Sequence, residues 1–152
     1  MMAFASVVEP LRAANQLAGR ELYQWRTLSL DGAPVLASNG ACLTPAGSLA
    51  DTGRGDMLCV CAGLGAERFR DAALTRRLHE LARQGMILGG VCTGTIALAR
   101  AGLLDGYRCT LHWENVEGFV EEFPDLDITA TLFEIDRDRL TSSGGTAPMD
   151  MM

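Results

Sequence analysis

The sequence contains no lysine, and all 13 of its basic residues are arginines. Against them stand 19 acidic residues, so the formal net charge is −6 at pH 7. A chain with this balance does not attract phosphate groups overall. The composition therefore argues against DNA or RNA as a direct partner of these residues.

Patterns typical of metal binding and membrane insertion are also absent. The five cysteines are odd in number and show no CxxC spacing, which argues against a zinc site, and we interpret them as reduced thiols. No signal peptide opens the chain, and no apolar run reaches the roughly 20 residues that a membrane-spanning helix needs. The sequence predicts a cytoplasmic protein without a metal ion or a cofactor.

The 152 residues, 48% of them hydrophobic, are enough for a single domain spanning the whole chain. Apolar periodicity alternates between strand and helix through the middle of the chain, which predicts an α/β fold with a mostly parallel sheet. The predicted strands cover residues 23–30, 56–61, 85–92, 108–112, 132–135 and 139–143, with a hairpin over 34–45. The predicted helices cover residues 5–17, with Ser6 as a cap and Pro10 in the first turn, then 67–84, 93–103 and 113–123, and a last one begins after residues 144–145.

The stretch from Leu88 to Ala99 has the pattern of a nucleophile elbow. An apolar run ends at Cys92, and a turn of small residues then leads directly into a helical pattern. Gly90 and Gly94 flank the cysteine and allow a sharp turn there. The thiol is predicted to lie at the end of a parallel strand and at the start of a helix, where an anion is favoured.

Several other polar or flexible positions follow predicted strands, and in α/β sheets the site lies beyond the carboxyl ends of the strands. We therefore predict one site at that edge. Its residues are Gly63, Leu64, Cys92, Thr93, His112, Trp113 and the segment 142–145.

The residue types alone leave several alternatives open. Cys92 is either a nucleophile with His112 as its base or simply a small residue in a tight turn. Trp113 is either a core residue or an aromatic face for a cationic ligand. Gly63 offers its backbone N–H to an oxyanion or carboxylate, and it also suits an ordinary turn. Glu9 either reaches the site or is solvated. Cys59 and Cys61, on one side of a strand, are interpreted as core residues.

Five stretches together resemble the amidase-like domain of GlxA-type regulators of the AraC family, within the PfpI/ThiJ group of the class I glutamine amidotransferase-like superfamily. The stretches are residues 90–94, 101–106, 110–113, 123–124 and 140–144. Four further stretches are similar to the branch that regulates the catabolism of quaternary amines, such as glycine betaine and carnitine, and of arginine. They are residues 4–15, 107–115, 133–138 and 144–152.

The resemblance implies a three-layer, flavodoxin-like sandwich that senses a small molecule and forms a homodimer. It also implies that DNA is bound by a C-terminal helix-turn-helix domain outside residues 1–152, and that a buried first strand precedes them. Two positions depart from the enzymes of the group. Near Ala3 no acidic residue is present to pair with the cysteine, and Thr93 stands where peptidases carry a histidine.

These departures favour a ligand-sensing domain over an enzyme. A cysteine-dependent amidase or hydrolase that uses Cys92 and His112 is the main alternative hypothesis. A redox sensor, in which Cys92 oxidises faster than the other cysteines, is a third.

Overall fold

A central sheet of four strands organises the chain in the computed structural model, which describes residues 1–152. The helices are α1 (Met2–Ala18), α2 (Ala72–Arg83), α3 (Thr95–Arg100), α4 (Val116–Glu122) and α5 (Ala147–Met151). The strands are β1 (Leu28–Ser29), β2 (Val35–Leu36), β3 (Cys42–Leu43), β4 (Gly47–Ser48), β5 (Met57–Ala62), β6 (Ile87–Cys92), β7 (Arg108–Cys109), β8 (Asp127–Ile128), β9 (Phe133–Asp136) and β10 (Arg139–Ser142). Short 3-10 helices cover Leu49–Asp51, Ala66–Arg68 and Trp113–Asn115.

The order of strands in the central sheet is β5-β6-β10-β9. Strands β5, β6 and β10 run parallel, and β9 is antiparallel to β10. The predicted α/β fold with a mostly parallel sheet is therefore confirmed. Strand β5 pairs on one side only, with β6, and forms one edge of this sheet.

Apolar side chains cover both faces of this sheet, which confirms the three-layer arrangement. Leu88 of β6 faces a cluster that includes Leu78 of α2, Leu98 of α3 and Phe119 of α4. Val91 lies three residues further along the strand and so faces the opposite side. That side carries a smaller cluster of Val7, Val91, Leu140 and Met151, contributed in part by α1 and α5.

Several predicted boundaries were wrong in the first half of the chain. Helix α1 begins at Met2, so Pro10 lies well inside it, and Ser6 does not cap it because its hydroxyl donates to the carbonyl of Gly145 (3.0 Å). Of the predicted strand 23–30, only Leu28–Ser29 is paired. Helix α2 begins after Asp71, whose carboxylate accepts the N–H of Leu74 (2.7 Å) and so caps the helix.

Three further predictions were wrong near the elbow. Strand β7 ends at Cys109 because the next N–H, of Thr110, donates to the Thr141 hydroxyl (2.9 Å) instead of a neighbouring strand. Helix α3 has six residues, and the chain turns at Gly102 with a φ of 65°. Cys61 is exposed rather than buried in the core, whereas Cys59, on the same side of β5, is half-buried.

Candidate functional site

Cys92 is the last residue of β6, and its backbone adopts a φ of 60°, which non-glycine residues rarely do. The register pairs it with Ala62, the last residue of β5, so the two strands end at the same level. The predicted elbow is therefore present, and it brings the loop that starts at Gly63 beside the cysteine.

Three glycines enforce the conformation of the elbow because a side chain on any of them would collide with the backbone or with the cysteine. A Cβ at Gly90 would lie 2.6 Å from the Cα of Thr95. At Gly94 it would overlap the carbonyl oxygen of Val60. At Gly144 it would lie 2.7 Å from the Cβ of Cys92, so the segment after β10 also belongs to the site.

Thr93 connects the elbow to the loop after β5. Its buried hydroxyl donates to the carbonyl of Gly63 (2.7 Å), which brings two of the predicted site residues together. Leu64, the next residue, is 88% exposed and projects into solvent. Thr93 therefore acts as a brace between two strand ends rather than as a residue open to a ligand.

The segment after β7 contributes an aromatic and acidic surface. The imidazole of His112 stacks on the indole of Trp113, with ring centroids 5.8 Å apart. Its Nδ1 lies 3.8 Å from the carboxylate of Glu114. Trp113 is 73% exposed, which excludes the interpretation of this residue as part of the core. The hydroxyl of Thr95 lies 3.1 Å from the carbonyl of Thr110 and holds this segment against the elbow.

Burial raises the pKa of the Cys92 thiol above its ordinary value. Hydrogen bonds from Thr93 act in the opposite direction, and the carboxylate of Glu114 raises the pKa further. The side-chain hydrogen bonds of the structure include none between Cys92 and His112. The raised pKa disfavours the thiolate, and the imidazole of His112 does not hydrogen-bond to the thiol.

The start of α3 is not an open anion site. The N–H of Gly94 already donates to Val91, that of Ile96 to Thr93 and that of Ala97 to Gly94 (2.9 to 3.1 Å). With six residues, the helix also has few aligned peptide dipoles. The predicted anion site at the start of this helix is therefore not supported by its backbone geometry.

Three other candidates contribute no polar side chain to this centre. Glu9 is exposed and pairs with Arg12 at 2.8 Å, so the solvated interpretation holds. Ala3 packs against the cluster around Val7, and no carboxylate occupies its place. Ser142 is fully buried within the sheet, so within segment 142–145 it is Gly144 that contacts the cysteine.

Two features of the site had weak signals in the sequence. Glu114 directly follows Trp113, and a carboxylate next to a tryptophan is a sequence signal for the binding of a cationic ligand. Gly144 was grouped with its neighbours, but its contact with Cys92 depends on how β10 pairs with β6. That pairing is long-range, so the local pattern does not reveal it.

The rate of Cys92 alkylation should depend steeply on pH. Because the thiolate is the nucleophile and burial raises the pKa of the thiol above its ordinary value, we expect the rate with iodoacetamide to rise about tenfold per pH unit from pH 7 to 9. Peptide mapping by mass spectrometry separates Cys92 from the other four cysteines, and Cys92→Ala gives the background. A rate that levels off below pH 8 would contradict the raised pKa.

The rest of the structure shows neither a metal-binding cluster nor a membrane-spanning helix. No three or more His, Cys, Asp or Glu side chains are grouped so that they could hold a metal ion. None of the helices combines the length and apolar character needed to cross a membrane. A cleft of about 710 Å³ lined by Arg54, Asp56, Gln84 and Met86 lies at the opposite end of β5 and β6 from Cys92.

Comparison with known proteins agrees with this geometry. The model of the DJ-1/PfpI family matches residues 4–152. The chain is 54% identical over its whole length to the HTH-type transcriptional regulator GbdR and 51% identical to the HTH-type transcriptional regulator CdhR, both of Pseudomonas aeruginosa. It covers 41% and 45% of these relatives, so it spans less than half of their length.

A crystal structure of an AraC family transcriptional regulator from Pseudomonas putida superposes with a TM-score of 0.88. The sequences are 37% identical, and the match covers 99% of this chain and 80% of the other. The fold therefore has a counterpart in an experimental structure.

Proposed function

Because the chain belongs to the DJ-1/PfpI family and its full-length relatives are named as transcriptional regulators, we propose that it is the ligand-sensing part of such a regulator. Its ligand is a small amino-acid-like or quaternary-amine metabolite bound at the elbow. DNA is contacted by a helix-turn-helix domain outside residues 1–152, which agrees with the net charge of −6.

One observation carries the choice of binding over catalysis. The elbow presents Cys92 at the end of β6, yet no hydrogen bond joins its thiol to His112, whose imidazole instead stacks on Trp113 and lies 3.8 Å from the carboxylate of Glu114. A cysteine nucleophile is activated by an adjacent base or by a lowered pKa. The absence of a Cys92–His112 hydrogen bond and the raised pKa of the thiol both support binding over catalysis at this corner.

The side chains around the corner suit a zwitterion. The exposed indole of Trp113 and the carboxylate of Glu114 favour the cationic end of the ligand, through a cation–π contact and direct charge attraction. The N–H groups of the Cys92–Thr93 turn and of Gly63 favour its carboxylate. Quaternary amines with a carboxylate, such as glycine betaine and carnitine, combine both ends.

Ligand binding would act by shifting the population of two conformations of the regulator. The size of the shift is limited by the difference in affinity of the ligand for the two states. We further propose a homodimer in the cytoplasm, since two copies of the sensing domain would place two DNA-binding domains on one operator. A strand outside residues 1–152 would complete the sheet at the free edge of β5.

Isothermal titration calorimetry with glycine betaine, carnitine and arginine tests the proposed function. We expect saturable binding of at least one of them, and about tenfold weaker binding in Trp113→Ala, since a cation–π contact contributes about 0.5 to 2 kcal/mol. Trp25→Ala is the matched control because Trp25 is a partly exposed tryptophan outside the site. Equal weakening in both variants, or no binding of any of the three, would contradict the proposal.

A cysteine hydrolase is the second candidate, favoured by the elbow itself. It requires steady turnover of amide substrates that disappears in Cys92→Ser. A redox sensor would instead require Cys92 to be oxidised by mild peroxide before the other four cysteines, and its raised pKa disfavours that.

A further inference from the structure

Arg100, the last residue of α3, uses every hydrogen-bond donor that its side chain has. Nε and one terminal nitrogen donate to the two carboxylate oxygens of Glu122, each at 2.8 Å. The remaining donors bind three backbone carbonyls in the loop after β5. These are Ala66 and Phe69 (3.2 Å each) and Glu67 (2.8 Å). Five N–H groups therefore meet five acceptors.

The loop held in this way begins at the functional site. It starts with Gly63, whose carbonyl accepts the Thr93 hydroxyl, and continues through the exposed Leu64 to the 3-10 helix Ala66–Arg68. Between these points Gly65 adopts a φ of 88°, and the N–H of Ala66 donates to the carbonyl of Gly63 (3.3 Å) within a turn of the loop itself. Arg100 at one end and Thr93 at the other are therefore what fixes the loop against α3.

Helix α4 is connected to the same site at both of its ends. Its first turn follows directly from the His112–Glu114 segment through the 3-10 helix Trp113–Asn115. Its last residue, Glu122, is bound by Arg100, and this contact lowers the pKa of the carboxyl so that the pair stays ionised. Phe119 anchors the middle of the helix in the core.

We propose that Arg100 is a positioning residue that couples the elbow site to α4, because one guanidinium holds both the loop that borders the site and the C-terminal end of that helix. We call the hydrogen bonds from Arg100 to Glu122 and to the carbonyls of loop 66–69 the clamp. The coupling of the elbow site to α4 rests on the proposed ligand site, whereas the clamp itself does not. When the loop moves to accommodate a bound ligand, the guanidinium of Arg100 displaces Glu122 and with it the end of α4. The exposed face of α4 then changes its position, and it consists of Glu117, Gly118, Val120 and Glu121.

The clamp requires arginine specifically. Lysine would keep the charge but offers three donors from a single atom, which cannot span a carboxylate and three carbonyls. Arg70 is a second link between the loop and α4, since it donates to the carbonyls of Glu67 and Phe69 (2.8 and 3.1 Å) and lies 3.4 Å from Glu122. Its contact with Glu122 is the longer one and it does not reach α3, so Arg70→Lys should change exchange in residues 116–122 less than Arg100→Lys does. Arg100→Lys is thus a conservative change that removes the geometry and retains the charge.

Hydrogen–deuterium exchange on the full chain, without any ligand, tests the clamp. We expect Arg100→Lys to speed exchange at least tenfold in residues 63–69 and 116–122 while residues 87–92 of β6 stay unchanged. Glu122→Gln should speed exchange in 116–122 alone, since the loop keeps its three bonds to Arg100. Arg137→Ala is the control, because Arg137 makes similar contacts in the β9–β10 turn at the other end of the sheet. Equal exchange in wild type and Arg100→Lys would overturn the proposal.

The coupling is tested by filling the site covalently, so that the result does not depend on the natural ligand. Alkylation of Cys92 with iodoacetamide is expected to change exchange in residues 116–122 at least threefold in wild type and to leave it unchanged in Arg100→Lys. Cys92→Ala treated in the same way corrects for the other cysteines. A response of α4 that survives in Arg100→Lys would overturn the coupling, whereas failure of glycine betaine to bind in calorimetry would contradict only the proposed ligand.

Discussion

Gly94→Ala is expected to destabilise the fold by about 4 kcal/mol or more, a large share of the 5 to 15 kcal/mol that stabilises a typical domain. The backbone of Gly94 has helical angles (φ −61°, ψ −25°) that alanine adopts without strain, so the effect is purely steric. The new Cβ would overlap the carbonyl of Val60 and lie 2.9 Å from the carbonyl oxygen of Val91. Both are backbone atoms of paired strands and cannot rotate away, which makes this overpacking severe.

Urea unfolding followed by circular dichroism measures this effect. Gly118→Ala is the matched control, because Gly118 lies inside α4 and a Cβ there would meet nothing within 4 Å. That change should stabilise the protein by about 0.5 to 1 kcal/mol through helix propensity. If Gly94→Ala unfolded within about 1 kcal/mol of wild type, β5 and the elbow would not be packed as described.

Gly144→Ala is expected to have the second largest effect, and it combines two causes. Gly144 adopts a φ of 91°, which strains any other residue by about 1 to 3 kcal/mol. Its Cβ would also lie 2.7 Å from the Cβ and 2.9 Å from the Sγ of Cys92. Because Cys92 is itself in a strained conformation, it has little room to move, and overpacking adds about 1 to 3 kcal/mol.

Gly106→Ala separates the two causes. Gly106 has a similar positive φ of 73°, but a Cβ there would meet no atom within 4 Å. The difference in free energy of unfolding between the two variants is therefore the cost of the contact with Cys92. Gly144→Ala should in addition change the alkylation rate of Cys92, which Gly106→Ala should not. Equal losses of stability with equal alkylation rates would show that Gly144 does not border the thiol.

The sequence was sufficient to predict the architecture around the elbow. Strands β5 and β6 are continuous apolar runs, and helix α2 has a regular apolar stripe, so local periodicity identifies them. The cysteine between glycines was recognisable for the same reason, since the steric needs of a sharp turn restrict the residue types. Loop 63–65 and the 112–114 segment could be assigned to one edge of the sheet from parallel topology alone.

The remaining features depend on contacts between distant parts of the chain. The hydroxyl of Ser6 binds Gly145 instead of capping α1, and the bond from Thr110 to Thr141 ends β7 early. Each of these pairs lies at least 31 residues apart. Arg100 and Glu122 are separated by 22 residues with no pattern that connects them. Local propensity carries no information on such pairs, so neither the clamp nor the exact ends of these elements could be predicted.

The glycines that shape the elbow would be required there whether or not Cys92 is reactive. Gly90, Gly94 and Gly144 are required by the closeness of neighbouring backbone and of the Cβ at position 92, whatever atom that Cβ carries. A lineage could thus lose its catalytic base and general acid while selection for folding alone preserved the motif. This glycine pattern in a genome sequence therefore indicates that the backbone conformation of the elbow is retained. Whether such a protein is an enzyme has to be judged from the groups that would ionise the thiol.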